Sequence, residues 1–421
     1  MSNRPLQEKI QKLQCHFTWQ FEKQDKIDVA HTLKKVAFQI AHTPYHNRGT
    51  FITMKAYLHQ LQGAYDEALR SLQEAEVALK QDHSSNISCQ ILVTYGNYAW
   101  IYYHLSNYDM VEFYLDKILS ICQSLFSPQP YSVLIPEIYA QKGWSLLAVG
   151  FRNGEEAKEC FRMALKGDKC NKEFQAGLAF SIFASWTHSW RTDIWKEAMR
   201  LMEEVVHHHS QNAEAKVYLA RLLQRKDIQR ALSLVEDVIQ SSLNPEVLRN
   251  AAKVYEPQSL SQAITILQKA IVLDPSYHLL HYDLGICYKK QMMKASPEER
   301  KEILQAAIES FKQAIETNSP SVFGRLNLAK MYGEKSPAFE EEIYQNLVGE
   351  LPNVTKRCQQ AIYLHWGDFL LHKKGLKHEA LEMYKAGFAI LDVHNWEQQQ
   401  LKERLMNLAT TFQEESKINT A

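Results

Sequence analysis

Arg249, Lys253, Lys289 and Lys290 are the basic residues best placed for chemistry with a polyanion, because Tyr255, Tyr282 and Tyr288 are interleaved with them. Cations neutralise phosphates and aromatic faces stack bases, a combination that holds single-stranded nucleic acid with little regard to base sequence. Each has a plainer role too: Tyr255 and Tyr288 as packing aromatics, Arg249 as a solvated surface residue, Lys289 and Lys290 as a helix end where cations suit the dipole. His207-His208-His209 invites a metal site, yet consecutive helical residues point about 100° apart and do not converge on one ion. The seven cysteines form no CxxC or Cys/His pattern, which suits buried free thiols in a reducing compartment. No GxxxxGK[ST], GxSxG or HExxH stands in the chain, so a binding protein without enzymatic activity, metal or cofactor is expected.

The elements that must position these residues follow from composition and repetition. The chain has 421 residues, 45% of them hydrophobic, with few Gly and Pro, which excludes collagen-like and disordered classes. Its 48 basic and 48 acidic residues cancel, so no global field draws DNA or a membrane, and any basic surface must be local. The N-terminus lacks an apolar run of the secretory type. The longest segment free of Asp, Glu, Lys and Arg, 83–108, is rich in aromatics and polar amides and reads as a buried helix rather than a span. A cytoplasmic protein is expected.

A small residue, a large one four positions on and a small one three further recur along the chain: Ala68-Leu72-Ala75, Ala157-Phe161-Ala164, Ala231-Val235-Val238, Ala263-Leu267-Ala270 and Ala307-Phe311-Ala314. That spacing lays all three on one helix face, and the small residues let two helices approach closely. It is the second-helix signature of the tetratricopeptide hairpin, whose period is about 34 residues. Matching first helices carry Leu284-Gly285 with Tyr288 and Leu328-Ala329 with Tyr332. The expected fold is an all-α tetratricopeptide-repeat superhelix, an α-solenoid of about nine helical hairpins with helical caps. A helix pair at 5–42 and an amphipathic helix from Trp396 to Ser416 supply the caps, and extra residues around 293–301 lengthen one hairpin. Pro-containing linkers at 127–136 and near Pro352 divide the chain into 1–130 (N-terminal helices and first repeats), 131–350 (central repeats forming the groove) and 351–421 (C-terminal repeat and cap), with pivots expected near both linkers.

Beyond the generic repeat stand Cys15-His16-Phe17-Thr18-Trp19, Leu92-Val93-Thr94-Tyr95-Gly96-Asn97-Tyr98-Ala99-Trp100, Gly143-Trp144, Leu248-Arg249 and Gly285-Ile286-Cys287-Tyr288-Lys289. In these strings, in order across about residues 8 to 405, the chain resembles the interferon-induced proteins with tetratricopeptide repeats. The resemblance implies a cytosolic, interferon-inducible antiviral protein. Some members close the solenoid around a basic tunnel that holds the 5′ end of single-stranded RNA, triphosphorylated or capped, and others act as adaptors. Carried over by position, Trp144 would stack a cap base, and Glu173, Lys216 and Arg249 are retained. The family's phosphate-binding Lys and Arg fall at Ala148 and Ala184, its pocket aromatic at Gly154, and a His at Tyr282. A family Gln falls at Val36, with Gln39 three residues on as its stand-in.

Each lost charge-assisted contact is worth roughly 1.5–3 kcal/mol, so weak capture of a 5′-triphosphate is expected. Two functions follow as expectations. The first is an innate immune protein that binds single-stranded RNA in a basic inner channel and inhibits its translation or replication. The second is an adaptor that binds family members, as homo- or hetero-oligomers, or signalling proteins. A chaperone-cofactor role would want a full Lys/Asn/Arg set for C-terminal peptides, which is not found.

Overall fold

The computed structural model describes residues 4–19, 21, 27, 29–83, 85–189, 191–317, 321–391 and 396–419. Among these the regular elements are helices, and the chain divides into two compact units, Met1–Ser241 and Ser242–Ala421. Unit one holds α1 (Arg4–Ile10), α2 (Val29–His42), α3 (Arg48–Leu61), α4 (Tyr65–Asp82), α5 (Ile87–Gln90), α6 (Leu92–His104) and α7 (Tyr108–Ser124). It continues with α8 (Pro136–Val149), α9 (Gly154–Gly167), α10 (Lys172–Ser189), α11 (Thr192–His208), α12 (Ala213–Leu223) and α13 (Ile228–Ser241). Unit two holds α14 (Pro245–Tyr255), α15 (Leu260–Leu273), α16 (His278–Met292), α17 (Pro297–Thr317), α18 (Val322–Gly333), α19 (Pro337–Gly349), α20 (Lys356–Phe369), α21 (Lys377–Phe388) and α22 (Trp396–Asn419).

Nine antiparallel hairpins result, from α3–α4 to α20–α21, so the all-α tetratricopeptide-repeat class is as the periodicity requires. The linker at 127–135 lies between α7 and α8, and Pro352 lies in a short turn before α20; each is inside a unit. The extra residues near 293 are absorbed as expected, by the loop before α17 and by its length of 21 residues.

Local signals start the helices where they do. Asn107, Asn212, Asn244, Ser259, Ser321, Ser336 and Thr355 each accept a hydrogen bond from a backbone N–H of the first turn. Pro136, Pro245 and Pro337 occupy first-turn positions, where a missing N–H costs nothing.

The repeat residues are then the core. Ala157, Phe161, Ala164, Ala307 and Phe311 are fully buried. Phe161 explains two glycines: a Cβ on Gly143 would sit 2.7 Å from its ring and one on Gly177 2.2 Å, so α8, α9 and α10 close on that ring only because both neighbours lack side chains. Gly285 does the same for Phe311.

In unit one, the strings at 15–19 and 92–100 that exceed the generic repeat pack against each other. Gly96 of α6 lets Cys15 come within 2.8 Å of where a Cβ would be, Phe17 stacks on Trp100 at 5.5 Å, and His16 bridges Asn97 and the Ser145 Oγ, the latter at 3.0 Å. Burial drives the His16 pKa down to about 3, so this imidazole is neutral in the fold. Segment 83–108, expected to be core, contains α6 with eight buried residues, and no described helix is long and apolar enough to cross a membrane.

Candidate functional site

Candidate residues fall in both units, and each group stands within its own. In unit one α8 carries Trp144, only 5% exposed. Tyr45 stacks on its ring at 5.7 Å, while Phe161 and Phe180 meet it edge-on at 5.1 and 6.0 Å. Between α2, α8, α10 and α12, Tyr45, Trp144 and Phe180, with Phe151 and Tyr218, line a narrow cavity of about 40 Å3.

Several of the polar groups around it have partners, although Asn47 Nδ2 is buried without one. Lys35 donates to the Leu147 carbonyl at 3.0 Å, Gln39 donates to Glu214 at 3.1 Å, and the Tyr218 hydroxyl donates to Glu214 at 2.6 Å. One cation and one carboxylate cancel there, and Ala148 adds no charge. Ala184 offers no room for a cation either: it is fully buried, and its Cβ would lie 2.9 Å from a Cβ on Gly154.

Behind Trp144 lies a second cavity of about 300 Å3, lined by Glu137, Asp168, Glu173, His46, His83 and amide side chains but by no Lys or Arg. Burial pushes the Glu173 carboxyl up to about 7, against the pull of the His46 backbone N–H and the Trp144 indole N–H. So the structure brings Gln39, Trp144 and Glu173 together around one indole, and sets Lys216, on α12, outside both cavity linings.

In unit two the first helices of successive hairpins are joined by polar side chains, α14 to α16 and α16 to α18. Arg249 Nε donates to Asp283 Oδ2 at 2.6 Å, Lys253 Nζ lies 3.1 Å from the same oxygen, and Arg249 also meets Glu246 at 3.5 Å. The Tyr277 hydroxyl donates to Glu246. Burial works to raise the Asp283 pKa, but Arg249 and Lys253 outweigh it and hold the carboxylate below its usual range. Two cations and two carboxylates leave this group neutral overall. Lys290 pairs with Glu256, the Tyr288 hydroxyl accepts from Gln268 at 3.3 Å while its ring packs on the core, and Tyr255 lies half-buried at the end of α14.

Lys289 is different. It donates to the Asn327 Oδ1 at 2.8 Å, and Asn327 in turn donates to the Tyr282 hydroxyl at 3.3 Å. Burial, joined by the charges of Lys330 and Lys290, lowers the Lys289 pKa to about 8, with no carboxylate opposing. Lys330, one repeat on, is depressed by burial, with Asp368 and Glu340 opposing. His365 on α20 is driven to about 3 by burial and by Lys330 and Lys289, and its Nδ1 is buried without a hydrogen bond. Asp368 is already engaged by the Tyr384 hydroxyl and by Arg404 Nε, each at 2.8 Å. Among the described residues, therefore, Lys289 and Lys330 share a half-buried position with no carboxylate in contact. Lys330, Asn327 and His365 went unnoticed in the sequence. Their signal is register, since each lies on the first helix of the next one or two repeats after Lys289.

Stacked two-helix repeats with their polar residues gathered on first helices define a tetratricopeptide-repeat binding scaffold. No protein-family profile matches the chain. It is 32% identical to the antiviral innate immune response effector IFIT1 of Macaca fascicularis over 91% of this chain and 83% of that one. It is 29% identical to human interferon-induced protein with tetratricopeptide repeats 2, over 96% and 87%. Among solved structures, the human IFIT1 dimer with PPP-AAAA superposes with a TM-score of 0.81 at 29% identity, covering 98% of this chain and 92% of that one. The chain belongs to the family of interferon-induced proteins with tetratricopeptide repeats.

Proposed function

We propose that this chain is a cytoplasmic antiviral protein of innate immunity that binds single-stranded RNA by its phosphates at the Lys289–Lys330 position of unit two, with little discrimination at the 5′ end, and so hinders translation or replication of that RNA. The observation that carries this reading is two half-buried lysines on adjacent first helices, Lys330 depressing Lys289, and neither in ion-pair contact with a carboxylate among the described residues. Cations held apart from acids at a desolvation cost are stabilised by an incoming anion. The RNA carried by the related human dimer supports the ligand class. The alanines at Trp144's cavity and nearby, where cations would serve a triphosphate, support the weak 5′ end preference.

Fluorescence anisotropy with a 5′-hydroxyl oligoadenylate at low ionic strength is the test. Lys289→Gln with Lys330→Gln should weaken binding at least tenfold, because each charge-assisted contact is worth roughly 1.5–3 kcal/mol. Absence of any salt-dependent affinity in the unaltered chain would defeat the reading. The second reading, an adaptor that joins family members in homo- or hetero-oligomers, is favoured by one observation, the neutralised Arg249 group. RNase-resistant co-purification of relatives from interferon-treated cells, without RNA binding, would select it.

A further inference from the structure

We propose that Asp283 is a resident anion, seated between Arg249 and Lys253 where a phosphate of a bound polyanion would otherwise sit, and that it thereby determines how much of this surface an RNA can engage. The inference rests on the RNA reading above. One carboxylate oxygen, Oδ2, accepts from Arg249 Nε at 2.6 Å and lies 3.1 Å from Lys253 Nζ. A guanidinium and an ammonium converging on a single oxygen is the arrangement that recognises a phosphate oxygen. The seat is well built: the Arg249 and Asp283 side chains are each only 13% exposed, and Tyr277 lies under the guanidinium at 5.9 Å. Glu246 holds the far side of Arg249, so the guanidinium is oriented whether or not the Asp283 charge is present.

Asp283 and Lys289 lie on the same helix, six residues and so roughly 9 Å apart along its axis. A phosphate backbone following the first helices would meet positive charge at Lys289 and Lys330 but a position already filled at Arg249 and Lys253. Neutralising Asp283 alone leaves that group with a net positive charge while Glu246 still holds Arg249. Nothing else in the group needs to move.

The test compares Asp283→Asn with the unaltered chain, using inorganic pyrophosphate in calorimetry and the 5′-hydroxyl oligoadenylate in anisotropy. Pyrophosphate affinity should rise roughly tenfold to a hundredfold, the effect of one added charge-assisted contact. The RNA salt slope should steepen by roughly 0.7 per phosphate gained. Adding Arg249→Gln to Asp283→Asn should abolish both gains. Asp283→Ser, whose shorter neutral side chain also leaves space for the anion, repeats the comparison whether or not the asparagine variant folds. A folded variant with unchanged pyrophosphate affinity overturns the inference. The two claims separate cleanly. RNA binding by the unaltered chain with no gain in the variant rejects the resident anion and keeps the RNA reading. Pyrophosphate binding gained by the variant of a chain that ignores RNA does the reverse.

Discussion

On the proposed function, Lys289 should make RNA binding pH-dependent in a range where ordinary lysines are inert. Its folded-state pKa is about 8, lowered by burial and by the charges of Lys330 and Lys290, whereas a solvated lysine titrates near 10.4. Without ligand the ammonium is therefore about nine-tenths charged at pH 7 and about one-tenth charged at pH 9. A phosphate in contact restores the proton, so binding at pH 9 must take one up. By linkage the affinity falls about tenfold between pH 7 and pH 9. The groups around it add no competing change: Lys330 and Lys290 carry the same sign, and His365 is neutral throughout. The sign for folding is opposite. The unfolded chain binds the extra proton between about 8 and 10.4, so this group makes the fold more stable as pH rises through that window. The assay is anisotropy of the 5′-hydroxyl oligoadenylate at constant low ionic strength from pH 7 to 9. Lys289→Arg keeps its charge and should bind with a shallower decline. A flat profile in the unaltered chain, or an unchanged decline in Lys289→Arg, refutes the reasoning.

Two further outcomes follow from unit one. Ala184→Arg, which position alone suggests would rebuild a phosphate contact, should instead lower the unfolding midpoint in thermal denaturation. Ala184 is fully buried against Gly154 and the start of α9, and overpacking there costs roughly 1–3 kcal/mol before the buried charge is counted. Acid should destabilise the fold through His16, whose pKa is about 3 when folded, since the unfolded chain takes up the proton as pH falls below about 6.5. At pH 5 that amounts to about 2 kcal/mol, and denaturant titrations should show a shallower loss between pH 7 and 5 in His16→Gln.

Why the hairpins were legible and the site was not comes down to distance along the chain. Ala157, Phe161 and Ala164 speak within two turns of one helix, and the glycines that receive Phe161 follow from the same packing rule. Arg249 gives no such local sign of its state. Its neutralising partner Asp283 is 34 residues away, on the next first helix, and only the stacking of repeats brings them together. The same holds for Lys289 and Lys330, which lie on different repeats in the sequence and become a pair through register. Trp144 shows the converse. Its neighbours Tyr45, Phe161 and Phe180 come from separate helices, so an indole that reads as a stacking platform is enclosed by rings contributed from afar.

The most direct measurement is a side-by-side titration of two oligonucleotides identical but for a 5′-triphosphate or a 5′-hydroxyl, against the unaltered chain and the Lys289→Gln, Lys330→Gln double variant. Phosphate contacts in unit two predict affinities within a few-fold of each other for the two ends, and loss of both in the double variant. A strong preference for the triphosphate that survives the double substitution would contradict the account.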